Sequence, residues 1–188
     1  MEEHPADGTA AGSGGDEPFE IFSEAGELLG QAPRRQVHAN GYWHKSAHVF
    51  LYRPDGALYL QRRAADKDVC PDLWDQSAAE HLKPGESYHQ AALRGLSEEL
   101  GISGAALEPL GELFMSRLEQ PALGIRDYEF QQAFQGIWDG PLHPDPAEVA
   151  EVRAVTLPAL AREVHEAPHA FTPWLRRDLT RCGILHGH

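Results

Sequence analysis

The chain has 188 residues, 41% of them hydrophobic and 24% charged, a composition that suits one domain with a core of its own. Its formal net charge of −13 argues against a general nucleic-acid binder, because duplex binding is dominated by Lys and Arg contacts to phosphate. No apolar run approaches the roughly 18 residues of a membrane helix, and Met1 to Pro18 lacks the basic start and apolar stretch of a signal peptide; the expectation is a cytoplasmic protein with no membrane partner. Residues 1–17, rich in Gly, Ala, Asp and Glu, read as a disordered tail, and 18–188 as the domain. Phe19 to Phe22 is strand-like and turns at Glu24-Ala25-Gly26 into a short segment, Glu27 to Gly30. His38 to Trp43 reads as a connecting loop with its turn at Asn40-Gly41. Ser46 to Tyr52, the turn Pro54-Asp55-Gly56 and Leu58 to Arg62 together predict a hairpin. Ala64 to Asp75 is irregular.

Ser87 to Leu100 carries the clearest helix signal, with Ser87 at the N-cap, apolar residues at helical spacing and Gly101 after the last turn. Strands are expected over Leu107 to Arg117, Glu129 to Trp138 and Val149 to Leu157, with a loop at Pro141 to Pro146. Helices are expected from Pro158 to Val164 and from Pro173 to Cys182. Strands and helices interleave without regular alternation, which points to a mixed β-sheet covered by helices. Cys70 and Cys182 are too few for a disulfide framework or a zinc cluster and read as free thiols.

The chemistry concentrates around the central helix. Glu86 precedes it, Glu98 and Glu99 stand near its end, and Arg94 lies four residues before Glu98, within reach on one face. Carboxylate oxygens are the hard ligands magnesium prefers. Alone, Glu98 and Glu99 also fit a solvated helix face with ion pairs. The longer pattern narrows the choice. Glu86, Arg94, Leu96, Glu98, Glu99, Gly101 and Ile102 match in register the Nudix box, and the chain is identified by it as resembling the Nudix superfamily. That resemblance implies an α/β (α+β) fold, a Nudix-type α/β/α sandwich with a mixed β-sheet. It also implies magnesium or manganese held by Glu98, Glu99 and a backbone carbonyl near Ala79, with Arg94 and Glu86 orienting the carboxylates. Two positions depart from the box. Glu80 stands where its first glycine belongs, and Gly95 stands where a metal-binding or basic glutamate belongs.

A wider stretch, His38 to Trp174, is similar to the isopentenyl diphosphate isomerase branch of the superfamily. The resemblance makes His38, His44 and His81 metal ligands beside Asp127 and Glu129, and makes Arg63 and Lys67 contacts to a diphosphate. It places Trp174 in the wall of the pocket. Asp127 and Glu129, two apart on a strand, would share one face. Ala79 stands at the position of the isomerase's catalytic cysteine, and alanine can neither donate nor accept the proton that isomerisation needs. The leading expectation is therefore a divalent-metal-dependent hydrolase, a diphosphatase of a nucleoside diphosphate derivative or isoprenoid diphosphate, with Glu98 and Glu99 on the metal and Glu129 as general base. An isomerase-like enzyme and a non-catalytic ligand binder stay open. Specificity is expected from loops 64–78 and 117–128, and a homodimer is the default symmetric assembly.

Overall fold

A computed structural model describes residues 16–67, 69–120 and 125–185. The elements run β1 (Pro18–Phe22), β2 (Leu28–Pro33), α1 (Arg34–Asn40), β3 (Trp43–Tyr52), β4 (Leu58–Arg63), β5 (Trp74–Asp75), β6 (Ala78–His81), α2 (Tyr88–Leu100), β7 (Glu108–Gln120), β8 (Ile125–Ile137), β9 (Val149–Val155), α3 (Leu157–Glu166) and α4 (Pro173–Arg181). Residues 1–15 of the expected tail lie outside the described residues; Asp16 and Glu17 are described, and the Glu17 carbonyl accepts from the Arg34 N–H at 2.8 Å. Among the described residues, no helix is long and apolar enough to cross a membrane.

Everything is arranged around β3. One of its edges pairs in parallel with β8 along its whole length, from Trp43↔Tyr128 to Tyr52↔Ile137. The other edge is shared in turn by β1 at Trp43, by β6 from Ser46 to Val49, and by β4 at Tyr52. The expected hairpin of β3 and β4 is thus a correction. The two strands meet only at Tyr52↔Leu58 and then part, and β4 pairs instead with β9. The inserted β6 satisfies the edge of β3 that β4 leaves, and its four residues carried no strand signal of their own.

β3 is buried on both faces, so its alternation divides the core in two. Ala47, Val49 and Leu51 pack with Ala91, Ala92, Leu96 and Leu100 of α2. Phe50 packs on the opposite face with Leu160 of α3 and Leu175 and Leu179 of α4. The result is a mixed sheet between helices. α2 is bounded as expected: Ser87 and Gln90 close a reciprocal capping box, and Gly101 ends the helix with φ 65. A side chain at 101 would also stand 2.8 Å from the His143 carbonyl.

Three further expectations are corrected. His38 lies not in a loop but in the last turn of α1, which Gly41 terminates. Strand β8 begins well before Glu129, so Asp127 and Glu129 are both within it. Much of the expected loop 117–128 belongs to the β7–β8 pairing, which includes Arg117↔Tyr128 and Glu119↔Arg126.

Candidate functional site

Strand register assembles the site. On β3, His44, Ser46 and His48 point away from α2, and parallel pairing sets Glu129 beside His44 and Gln131 beside Ser46. On β6, antiparallel pairing sets His81 opposite Ser46 and Ala79 opposite His48. Glu80, between them, falls on the other face, toward α2. One cavity is lined by residues of β3, β6 and β8 together with Arg34, Arg63 and Trp174.

His38, His44, His81 and Asp127 form a cluster with one ligand atom of each within 4.8 Å of the others, and all of them but His44 line the cavity. His38 arrives on α1, His44 on β3, His81 on β6 and Asp127 on β8. The Nε2 atoms of His44 and His38 are 3.4 and 3.7 Å from Asp127 Oδ1, and His81 Nε2 is 3.5 Å from Glu129 Oε1. Phe19, fully buried, packs its ring against the imidazoles of His44 and His81 at 5.5 and 4.7 Å. His44 Nδ1 is 3.0 Å from the Tyr42 carbonyl, which places its proton on Nδ1 and leaves the Nε2 lone pair toward the cluster. That Nε2 and Asp127 Oδ1 are buried without a hydrogen-bond partner among the described residues. Imidazoles and a carboxylate with orphaned inward atoms fit a divalent transition metal.

The titration of His38, His81 and Asp127 agrees with that fit, while His44 has a proton to give up on binding. Burial, then the neighbouring His81, takes His38 down to about 3, and burial takes His81 well below the ordinary value. Burial also opposes charge on His44, but the Asp127 and Glu129 carboxylates outweigh it and hold His44 raised. Burial opposes ionisation of Asp127 too, yet His44 and the other imidazoles outweigh that and keep it depressed. Burial and then Asp127 push Glu129 up, as suits a group that takes protons.

The box carboxylates lie on the other side of β6. Glu99 is buried; its Oε1 accepts from the Ala79 N–H at 3.2 Å and its Oε2 from the Gln61 amide. Burial, then Glu80, holds it well above the ordinary carboxylate value. Glu98 is half exposed and pairs with Arg94 at 3.1 Å and Lys83 at 3.6 Å. Arg94 binds Glu86 through two bonds of 2.9 Å, Glu80 at 2.9 Å and the His81 carbonyl at 2.8 Å, and so ties helix to β6. Glu98 and Glu99 share an outer groove with Glu80, Asp145 and Glu148, and Glu98 does not reach the histidine cluster's cavity.

Arg63, Lys67, Arg34, Glu80, Glu99 and Glu148 line both the cavity and the groove, so the basic residues stand at the seam. Lys67 pairs with Glu148. Asp75, wholly buried, accepts from Arg63 at 3.3 Å, Thr172 at 2.9 Å and the Trp174 indole at 2.7 Å. The Arg63 guanidinium lies 5.5 Å from the Trp174 ring centre. Sequence reasoning missed Phe19, Arg34, Gln61 and Asp75, and it left His48 without a role. Arg34 could have been found as a basic residue one turn before His38; the others give no local signal.

Comparison with known proteins agrees with this architecture. The family model described as NUDIX domain matches residues 42–175. The chain is 38% identical over 163 residues to the isopentenyl-diphosphate Delta-isomerase of Nocardia farcinica, covering 86% of this chain and 92% of that protein. It is 40% identical over 146 residues to the enzyme of the same name from Cereibacter sphaeroides, covering 75% and 79%. Among solved structures, Deinococcus radiodurans DR0079 aligns with a TM-score of 0.71 and 22% identity over 88% of this chain and 99% of that one. The MutT protein of Methanosarcina mazei aligns with a TM-score of 0.59 and 18% identity over 76% and 94%. Both structures speak for the fold alone. The family model and these relatives together show common descent: this chain belongs to the NUDIX family.

Proposed function

We propose that the protein is a divalent-metal-dependent hydrolase of a small-molecule diphosphate, an isoprenoid diphosphate or a nucleoside diphosphate derivative. The observation that carries this reading is the seam: Arg63 and Lys67 line the same cavity as the histidine cluster and the same groove as Glu99. Cations there hold phosphate oxygens while carboxylates and imidazoles hold magnesium or manganese. His38, His44, His81 and Asp127 would bind one ion; Glu98, Glu99 and the Ala79 carbonyl would bind another. A bound cation supplies charge neutralisation on the phosphoryl oxygens and a more acidic water. Glu129 takes the proton of the attacking water. Arg94 and Glu86 orient the box carboxylates, and Trp174 walls the cavity.

A second reading, an isomerase of a five-carbon diphosphate, draws support from the names of the similar Nocardia and Cereibacter enzymes and from the assembled histidine cluster. The methyl of Ala79 speaks against it, since position 79 then moves no proton. A screen over isopentenyl diphosphate, nucleoside diphosphates and dinucleotides, with magnesium and then manganese, separates the two. Release of phosphate that disappears in Glu99→Gln is the expected result. Interconversion of the five-carbon isomers without release would replace the first reading by the second.

A further inference from the structure

Ser46 lies on β3 at 1% exposure, and its hydroxyl is buried without a hydrogen-bond partner among the described residues. It lines the cavity but not the outer groove. A serine hydroxyl rotates to suit any partner in reach, so an orphan means that the wall offers none. The strand register shows why. Gln131 stands beside Ser46 on β8, but its amide donates to Asp178 and its oxygen accepts from Arg177 at 2.6 Å. His48, two residues on along the same face, turns its Nδ1 to Asp178 at 2.7 Å. His81 stands opposite on β6 and carries its Nε2 to 3.5 Å from Glu129. Other polar groups of the wall are committed as well: Gln61 to Glu99, Arg63 to Asp75 and Lys67 to Glu148.

A buried hydroxyl left unpaired costs free energy that an alanine at the same place would not. A ligand that supplies the partner turns this cost into selectivity. A site built around a substrate hydroxyl keeps its own group unpaired when an analogue lacking that hydroxyl binds. Charge sets the two ends of such a ligand. Arg63 and Lys67, shared by cavity and groove, take the diphosphate end. Ser46 stands on the buried wall, where only Val69, Ala79, Leu118 and Trp174 among the lining residues are apolar. We propose that Ser46 is a specificity-determining residue: its hydroxyl pairs with a hydroxyl on the organic group of the diphosphate and selects a hydroxylated chain over a hydrocarbon one. The proposal rests on the proposed diphosphate site and names the class of organic group that the site takes.

The test compares two ligands that differ by one hydroxyl, dimethylallyl diphosphate and the same compound with one methyl hydroxylated. Their methylene-bridged analogues, in which carbon replaces the oxygen between the phosphorus atoms, are titrated calorimetrically with magnesium into the full chain. The hydroxylated analogue is expected to bind about tenfold more tightly. Ser46→Ala should weaken that analogue alone and bring the two within about twofold of each other. Methylenediphosphonate, which has no organic group, should bind both proteins equally. Manganese binding, followed by electron paramagnetic resonance, should also be the same in both. Equal affinity of the two analogues for the unaltered protein, or failure of both to bind, overturns the proposal, and that comparison needs no variant. A preference that survives in Ser46→Ala overturns it too, because the ligand hydroxyl then has another partner. Weaker manganese binding in Ser46→Ala would assign the serine oxygen to water around the ion, with the same consequence. Phosphate release from the parent diphosphates is followed separately. Its absence with the preference intact overturns the hydrolytic reading alone.

Discussion

Glu80 occupies the space that a side chain at Gly95 would need. A Cβ at position 95 would stand 3.1 Å from the Glu80 Cβ and 3.4 Å from Glu99 Oε1. The two departures from the box are therefore one exchange across the β6–α2 contact. The helix gives up a side chain, and the strand sends a carboxylate to Arg94 in its place.

This coupling is measurable. Gly95→Ala removes a helix-interior glycine and should gain about 1 kcal/mol where nothing opposes it. Glu80 opposes it in the unaltered chain. The gain should appear in a Glu80→Gly background, where the opposing Cβ is gone, and be largely cancelled otherwise, a coupling energy of about 1 kcal/mol by urea denaturation. Additive effects would refute the exchange.

Metal binding should follow the histidine cluster. His44→Ala removes an orphaned inward nitrogen and is expected to weaken manganese binding by at least about 100-fold, whereas Glu98→Gln leaves that site unchanged. His38 and His81 are already neutral near pH 7, so they release no proton. His44 is raised and must give its proton up. Affinity should increase as pH rises, with net proton release read by calorimetry in buffers of different ionisation enthalpy. A pH-independent affinity would contradict the assignment.

Stability without metal should carry the mark of Glu80. Burial raises this carboxyl to about 7, so the native state holds its proton more tightly than the unfolded chain. Its contribution is complete below the unfolded value of 4.5 and is lost as pH rises through 7. His38, lowered from 6.5 to about 3, works the other way: its contribution is present above 6.5 and is lost as pH falls toward 3. The difference between Glu80→Gln and the unaltered protein isolates the first effect. The variant should gain on the order of 1–3 kcal/mol between about pH 5 and 8 in EDTA. A flat difference would mean that Glu80 is not buried as described.

Trp174→Phe keeps the ring and deletes the donor to Asp75. A hydrogen bond to a buried charge is worth about 1.5–3 kcal/mol, and the melting and urea curves should show a loss of that size. Because Asp75 also holds Arg63, KM for isopentenyl diphosphate or ADP should rise more than kcat falls. An unchanged KM would separate the Trp174 wall from the phosphate contacts.

Local chemistry made α2 legible. Ser87, Gln90 and Gly101 act within a few residues of one another, and so do Arg94, Glu86 and Glu98 along one helical face. The sequence by itself determined that helix, its carboxylates and the family they mark. Helix α1 was hidden because its seven residues are too short for a periodic signal, and β6 because four residues gain their pairing only from β3. The site depended on pairings that no spacing records. Parallel pairing of β3 with β8 set Glu129 beside His44, insertion of β6 set His81 and Ala79 against β3, and packing of α4 carried Asp178 to His48. These contacts join residues up to 130 positions apart, where the hydrogen bonds of strand edges and the burial of helix faces decide what meets. Only the tertiary structure could show that the Gly95 departure and the Glu80 departure fill one space.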